Sequence, residues 1–404
     1  MDDLIADIEQ RVRKLFPRAP SAFYSDVSDL SALVGRLRRL ARLALDVSAG
    51  EDVTENVTES VTPESVTAGG SRESCRVDTA GQLHPSDEWA FAGLVEPHRQ
   101  ELRVHCYRMV GSFDDSEDLL QETLLRAWRG REGFAGQSSL RTWLYSIATN
   151  VCLEFLRRHA REPRRYEPVP GIDSGSGEAP AQVAWLQPYP VSAGPEETAL
   201  SRETIELVFI TAIQHLPPKQ RATLVLRDVL GMPAADTASQ LGVSVASANS
   251  ALQRARDAMR KHLPRDRADW SAPAGVTAEE QEVLDRYMDA IGRSDLNAMA
   301  DLLSPDVVLT MPPNPFWFVG RDAMMSFVTK SLDPAAPAFL GHWRQLPAVA
   351  NGQPAAAGYI NRPGTRFFRA QVLDVLRVEG GRIVEITAFE PHLFPAFGLP
   401  LTLS

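Results

Sequence analysis

Two stretches of this chain mix residue types that suit nucleic acid better than bond-making chemistry. The first runs Ser139-Leu-Arg-Thr-Trp-Leu-Tyr-Ser-Ile-Ala-Thr-Asn-Val-Cys-Leu-Glu-Phe-Leu-Arg-Arg158. Arg141, Trp143, Tyr145 and Asn150 place a cation, two flat rings and an amide toward one end of a helical pattern. Cations attract phosphate, rings stack on unpaired bases and an amide can read a base edge. From Arg141 to Arg165 six arginines stand against two glutamates. The same aromatics would also serve a helical core, so composition alone leaves both readings open. The second stretch, Ala235-Asp-Thr-Ala-Ser-Gln-Leu-Gly-Val-Ser244 followed by a longer helix, has the pattern of a helix-turn-helix. Gly242 permits the tight turn, Val243 plugs the angle and Ser244 is a good N-cap. Ala248, Leu252, Ala255 and Met259 form its buried stripe. A recognition helix enters the major groove N-terminus first, which points to Ser247, Asn249, Ser250, Gln253 and Arg254 as DNA contacts.

A third motif is acidic. Asp114-Asp-Ser-Glu-Asp-Leu-Leu-Gln-Glu-Thr-Leu-Leu-Arg-Ala-Trp-Arg129 buries Leu120, Leu124, Ala127 and Trp128 and shows Asp118, Glu122, Arg126 and Arg129 outward. Early acids and late arginines suit the helix dipole, and Glu122–Arg126 is an i,i+4 pair. Taken alone, the pattern fits any amphipathic surface helix. In the tail, Asp374, His342 and Tyr359 could exchange protons, but nothing in their spacing brings them together. Cys75, Cys106 and Cys152 are too few and scattered for a disulfide framework or a metal site, and no cofactor is called for.

The elements that must position these residues fall into separate blocks of the 404-residue chain. Residues 1–48 pattern as two amphipathic helices, read as a self-packed hairpin or as a partner-binding arm. Residues 49–86 include Val53-Thr-Glu-Asn-Val-Thr-Glu-Ser-Val-Thr62, low in complexity, acidic and free of aromatics, which predicts a disordered linker. Residues 87–163 are densely helical. Residues 164–200 form a second linker rich in Pro, Gly and acids, with no Lys or Arg after Arg165. Residues 201–264 are helical again, and 276–400 pattern as a separate α+β domain with a hairpin at Gly380-Gly381. The net charge of −10 argues against indiscriminate nucleic-acid binding, although both helical blocks are locally basic. Met1-Asp2-Asp3 opens on no basic apolar leader, and no run nears the ~20 apolar residues that span a bilayer. The expectation is a cytoplasmic protein with no membrane partner.

Together the three motifs resemble the extracytoplasmic-function sigma factors of bacterial RNA polymerase. The acidic helix resembles the region-2 helix that docks on core polymerase, which implies contacts from Asp115, Asp118, Gln121, Glu122 and Arg126. Phe134-Ala-Gly-Gln and the Ser139–Asn150 segment resemble the part that melts and reads the −10 element. That implies Phe134, Arg141, Trp143, Tyr145, Asn150, Arg157 and Arg158. Leu216-Pro-Pro-Lys-Gln-Arg221 and the helix-turn-helix resemble region 4, which implies −35 contacts by Arg221, Ser247, Asn249, Ser250, Gln253 and Arg254. Asn249 and Ala251 depart from the family, which often has basic residues there. The second linker, with Trp185-Leu-Gln-Pro-Tyr-Pro190, resembles the spacer that threads the polymerase cleft.

The tail resembles the SnoaL-like, NTF2-like cone, on Trp317–Asp322, Asn351-Gly-Gln-Pro-Ala355, Gly381–Phe389 and Leu393–Pro400. The resemblance implies a multidomain chain: two all-α sigma domains, a C-terminal α+β cone and an N-terminal helical extension. It implies a sigma factor that binds core polymerase and promoter DNA, does no catalysis and is regulated by its tail. A small apolar ligand among Met311, Trp317, Phe318, Tyr359 and Phe389 is a further expectation. The alternatives are a DNA-binding regulator fused to an active isomerase or cyclase, and a repressor whose tail senses a ligand.

Overall fold

The computed structural model describes residues 88–134, 138–190, 205–263, 275–337 and 339–404. The hairpin expected over 1–48 and the disordered linker expected over 49–86 lie outside the described residues.

The first helical group is α1 (Glu88–Val95), α2 (Arg99–Val110), α3 (Phe113–Gly130) and α4 (Leu140–Arg158). Gly111 turns left-handed after α2 (φ 73°), and Ser112 then caps α3 by accepting the Asp115 N–H at 3.2 Å. Gly111 has a second role: a Cβ there would lie 2.9 Å from Gln214, a residue of the next helical group. Ser139 caps α4 by accepting the Thr142 N–H at 3.1 Å. The buried face of α3 is rotated from the one expected: it is Ser116, Leu119, Leu120, Thr123 and Ala127. In α4 the buried residues include Leu144, Tyr145, Ala148, Val151, Cys152 and Leu156. Leu124, Trp128, Leu140, Ile147 and Phe155 are only partly buried.

The second group is α5 (Leu207–Gln214), α6 (Pro218–Leu224) running into a π-helical turn over Val225–Val229, α7 (Ala234–Leu241) and α8 (Val245–His262). Gly242 takes the left-handed turn expected of it (φ 62°), and Ser244 caps α8 through the Ser247 N–H at 3.2 Å. Ala248, Leu252, Ala255 and Met259 are the buried stripe of α8.

The tail opens on a capping box, Thr277 with Glu280, at the start of α9 (Ala278–Gly292). Next come α10 (Leu296–Leu302), β3 (Leu303–Thr310), β4 (Trp317–Val319) and α11 (Arg321–Leu332). Strands β5 (His342–Ala350), β6 (Gln353–Asn361), β7 (Phe368–Glu379) and β8 (Arg382–Phe389) complete the body, with β9 (Thr402–Leu403) added to β7. The sheet order is β4-β3-β8-β7-β6-β5, antiparallel except for β3 with β8. One sheet face and the three helices enclose a core that includes Val283, Met299, Phe318, Leu376 and Ile386.

The opposite sheet face is also buried. Ala355, Ala357, Tyr359, Leu373 and Val375 join one continuous apolar core with α2, α4, α5 and α6. The tail therefore has a core of its own yet packs directly on the helical groups. Between those groups, β1 (Arg164–Arg165) pairs with β2 (Ala181–Gln182), and Tyr166, Val183, Leu186 and Tyr189 are buried. The described part of the acidic linker is folded against its neighbours.

Candidate nucleic-acid interface

Helix α8 presents a polar face. Ser247, Asn249, Ser250, Gln253 and Arg254 are all exposed, because the buried stripe holds the opposite side. Gln253 donates to Asp257 Oδ1 at 3.3 Å, and Arg256 is tied to Asp228 at 2.7–2.8 Å. Among the described residues Arg254 has no ion-pair partner, so its charge is free on this face. Arg221, expected at the DNA, is placed elsewhere. It is 2% exposed and donates to Met109 O, to both Gln214 Oε1 (2.7 Å) and Gln214 O (2.9 Å), and to Leu216 O (3.2 Å). Burial lowers its pKa to about 10. Four oxygen partners hold this guanidinium as a bolt between α6 and the end of α2.

The first group's expected DNA residues divide. Arg141, Asn150, Arg157 and Arg158 are exposed, with Arg158 paired to Glu154. Arg141 pairs with Glu101 at 2.7 Å and lies 4.9 Å from the centre of the Tyr145 ring. Tyr145 is buried and donates to Glu101 Oε2 at 3.2 Å; burial pushes its phenol up. Phe134 is buried against the half-buried Trp143, their rings 5.0 Å apart. Phe134 and Tyr145 are thus not offered to bases in this conformation. Gln240 of α7 donates to Thr142 O at 3.4 Å, so the helix-turn-helix leans on the start of α4.

On α3, Asp118 and Gln121 are exposed, while Glu122 and Arg126 pair at 2.6 Å and Arg126 reaches Glu154 at 2.8 Å. Asp115 is tied to Arg161 at 2.7 Å. Sequence reasoning missed Leu125, a leucine 49% exposed beside Gln121 and Glu122. Its signal was an apolar residue on the face assigned to charge.

Also missed was the job of Asn351. The β5–β6 turn puts it in the left-handed region (φ 56°) with its side chain fully buried. Its Nδ2 donates to Tyr107 OH (2.8 Å) and to Ile205 O, and its Oδ1 accepts the Tyr189 N–H (2.7 Å). Its own N–H donates to Tyr189 O at 2.8 Å. Gln353 Oε1 accepts the Leu207 N–H at 2.9 Å, at the start of α5. Elsewhere in the tail, Trp317 Nε1 donates to Glu167 O (3.1 Å) and the Val319 N–H to Ser174 O (2.8 Å).

The cone holds a cavity of about 550 Å³. Met311 and Phe389 line it; Trp317, Phe318 and Tyr359 do not. Trp317 faces the linker, Tyr359 packs on Phe394 across the outer sheet face, and Phe318 stacks behind Phe327 at 4.5 Å. Strand alternation explains Trp317 and Tyr359, since neighbouring residues point to opposite faces. Of the three expected acid–base residues only Asp374 reaches the cavity, where Tyr287 donates to it at 3.0 Å and burial raises its pKa to about 7. His342 is exposed against Phe339. Among the described residues no metal-ligating cluster occurs, and no helix is long and apolar enough to cross a membrane.

A helix-turn-helix with a free polar recognition face, joined to a second basic helical group, defines a sequence-reading transcription protein. The comparisons narrow this. Residues 94–162 match sigma-70 region 2, residues 206–259 sigma-70 region 4 and residues 284–386 the SnoaL-like domain. The chain is 41% identical over 333 residues to the ECF RNA polymerase sigma factor SigG of Mycobacterium tuberculosis, covering 79% of this chain and 87% of that protein. It is 28% identical to the sigma factor SigW of Bacillus subtilis over 45% of this chain and 93% of SigW. In fold it is similar to the crystal structure of the M. tuberculosis sigma factor SigJ, with a TM-score of 0.51 at 22% identity over 77% of this chain and 99% of that one. The chain belongs to the extracytoplasmic-function sigma factors of RNA polymerase.

Proposed function

We propose that this chain binds core RNA polymerase to start transcription at its own promoters, and that its tail clasps the free protein shut. The observation that carries the clasp is Asn351, one tail residue bonded to region 2 at Tyr107, to the spacer at Tyr189 and to the approach to region 4 at Ile205. Asp118, Gln121, Glu122 and Leu125 offer the polymerase an exposed acidic and apolar stripe. Arg141, Asn150, Arg157 and Arg158 face the −10 element; Ser247, Asn249, Ser250, Gln253 and Arg254 face the −35 element.

Distance supports the closed reading. The two promoter elements lie about 25 base pairs apart, or ~85 Å at 3.4 Å per base pair. Here the two readers touch at Gln240 and Thr142, 3.4 Å apart. They cannot both engage until they separate. The spacer is long enough: about 40 residues extend to ~130 Å.

The tail acts by binding rather than by turnover. Asp374 is its deep acid, tied to Tyr287, while His392 stands exposed at the rim. The protein works in the cytoplasm, where core polymerase and promoter DNA are. Run-off transcription with purified core polymerase tests the reading, comparing the native chain with Asn351→Gly. Cutting the tail away is a poorer test, because it would expose the apolar face shared with α2, α4 and α5. Specific promoter binding that needs no core polymerase would overturn the proposal.

A further inference from the structure

One end of the tail's sheet carries charge that no neighbouring side chain balances. From Pro334 to Leu373 the sequence holds no Asp or Glu, although the whole chain has 52 of them, yet it holds Arg344, Arg362, Arg366 and Arg369. Strand register gathers these four. The turn at 362–367 joins β6 to β7, β5 begins beside it with His342 opposite Asn361, and β9 sets Thr402 opposite Arg369. All four arginines are exposed. Among the described residues no Asp or Glu side chain pairs with any of them, whereas Arg126, Arg141, Arg161, Arg256 and Arg377 all have such partners.

The turn presents its arginines in a fixed frame. Thr365 donates its N–H and its hydroxyl to Arg362 O at 3.0 and 2.7 Å, and Asn361 Nδ2 donates to Thr365 O at 3.2 Å. Gly364 takes the left-handed conformation that closes it (φ 81°). Arg362 rests on Gln371 Oε1 at 3.2 Å, and Arg344 donates to Ser404 O at 2.9 Å over the Phe368 ring. Phe367, 55% exposed, adds an apolar ring between Arg366 and Arg369 in the chain.

We propose that this end of the tail is a third DNA contact, gripping the phosphates of duplex DNA upstream of the −35 element without reading its sequence. The proposal rests on the reading of the chain as a sigma factor. Arginine's planar fork takes two phosphate oxygens at once, and such contacts position a protein without specifying bases. The covalent layout brings the patch to that DNA. Only residues 264–274 separate α8 from the tail, and eleven residues extend to at most ~40 Å. With α8 in its groove, the tail stands at an effective concentration on the order of millimolar beside the flanking duplex. The spacer leaves α5 toward region 2 and the −10 element, so the upstream side falls to the tail. The clasp does not cover the patch, because Asn351 turns at the opposite end of β5 and β6, nine residues or ~30 Å along the strand.

The test measures how core polymerase loaded with the full chain binds two promoter fragments. One ends just upstream of the −35 element, and the other carries about 30 further base pairs, or ~100 Å of duplex. The native protein should bind the longer fragment about tenfold tighter near 0.1 M salt, with a logarithmic salt slope steeper by about 2–3. Scrambling the added sequence should leave that gain intact. Arg362→Gln, Arg366→Gln and Arg369→Gln together should abolish it while affinity for the short fragment stays unchanged, which also shows that the variant folds. Arg362→Lys, Arg366→Lys and Arg369→Lys together keep the charge and should retain most of the gain. Equal native affinity for both fragments, or a gain that the glutamine variant keeps, would overturn the contact. So would two other outcomes: weaker binding of the glutamine variant to core polymerase without DNA, which makes the patch a protein-docking surface, or variant-sensitive binding to phosphatidylglycerol vesicles with no effect on DNA. Selective initiation from the short fragment would leave the sigma reading standing in each case. A native chain that neither binds core polymerase nor starts transcription would sink both.

Discussion

Replacing Asn351 with glycine removes the clasp's side chain while keeping its backbone, because glycine adopts the left-handed turn (φ 56° here) without strain. Three partners lose a bond: the Tyr189 N–H, the Ile205 carbonyl and the Tyr107 hydroxyl. Tyr107 keeps its bond to Gln187 O at 2.8 Å, so two backbone groups are stranded. At about 1–1.5 kcal/mol for each stranded group, less up to ~1 kcal/mol returned by the relaxed turn, the closed form loses ~2 kcal/mol. That is a ~30-fold shift toward the open form. Where the closed form dominates, apparent affinity for core polymerase should rise by up to the same factor, since a binding-competent fraction scales the dissociation constant. The assay is a titration of labelled core polymerase with native and variant chains, beside run-off transcription at limiting sigma. Unchanged affinity and unchanged output, from a variant whose far-ultraviolet spectrum matches the native chain's, would refute the clasp.

Three further outcomes are expected. Arg254→Ala should lose about 1–3 kcal/mol of promoter affinity or discrimination in footprinting, with core binding intact; loss of core binding instead would show the surface misassigned. Leu125→Asp should weaken core polymerase binding at least ~10-fold with little change in melting temperature, because an exposed side chain contributes little to folding. Asp374→Asn should alter the pH dependence of stability. Burial raises the folded pKa of Asp374 to about 7, above its unfolded value, so the native state holds the proton longer. Native stability should fall between about pH 4 and pH 7, as the unfolded chain releases that proton first. The asparagine variant should lack that slope in thermal melts collected across the range.

Residues with strong local rules were legible in the sequence alone. Ser244 caps α8, Gly242 turns between α7 and α8, and Gly380-Gly381 turns between β7 and β8, because each choice depends on a few neighbouring atoms. The outward set on α8 followed from helical periodicity for the same reason. Periodicity also says which residues are buried, but not by what. It could not tell that Arg221 bolts α6 to α2, or that Tyr145 is covered by Glu101 and Arg141, since those partners lie far away in sequence.

The tail shows the same division. Its strands and helices could be read from pattern, yet which side of each strand faces the cavity depended on the register of the sheet. That sent Trp317 and Tyr359 outward and brought Trp343, Gln345 and Asp374 in. Asn351 is the clearest case. Asn-Gly in sequence announces a tight turn and nothing more. Its meaning as a clasp exists only because folding carries that turn into the junction of Tyr107, Tyr189 and Ile205, positions up to 244 residues away along the chain. Local sequence set the elements; long-range packing, which no short window of residues can encode, decided what each element holds.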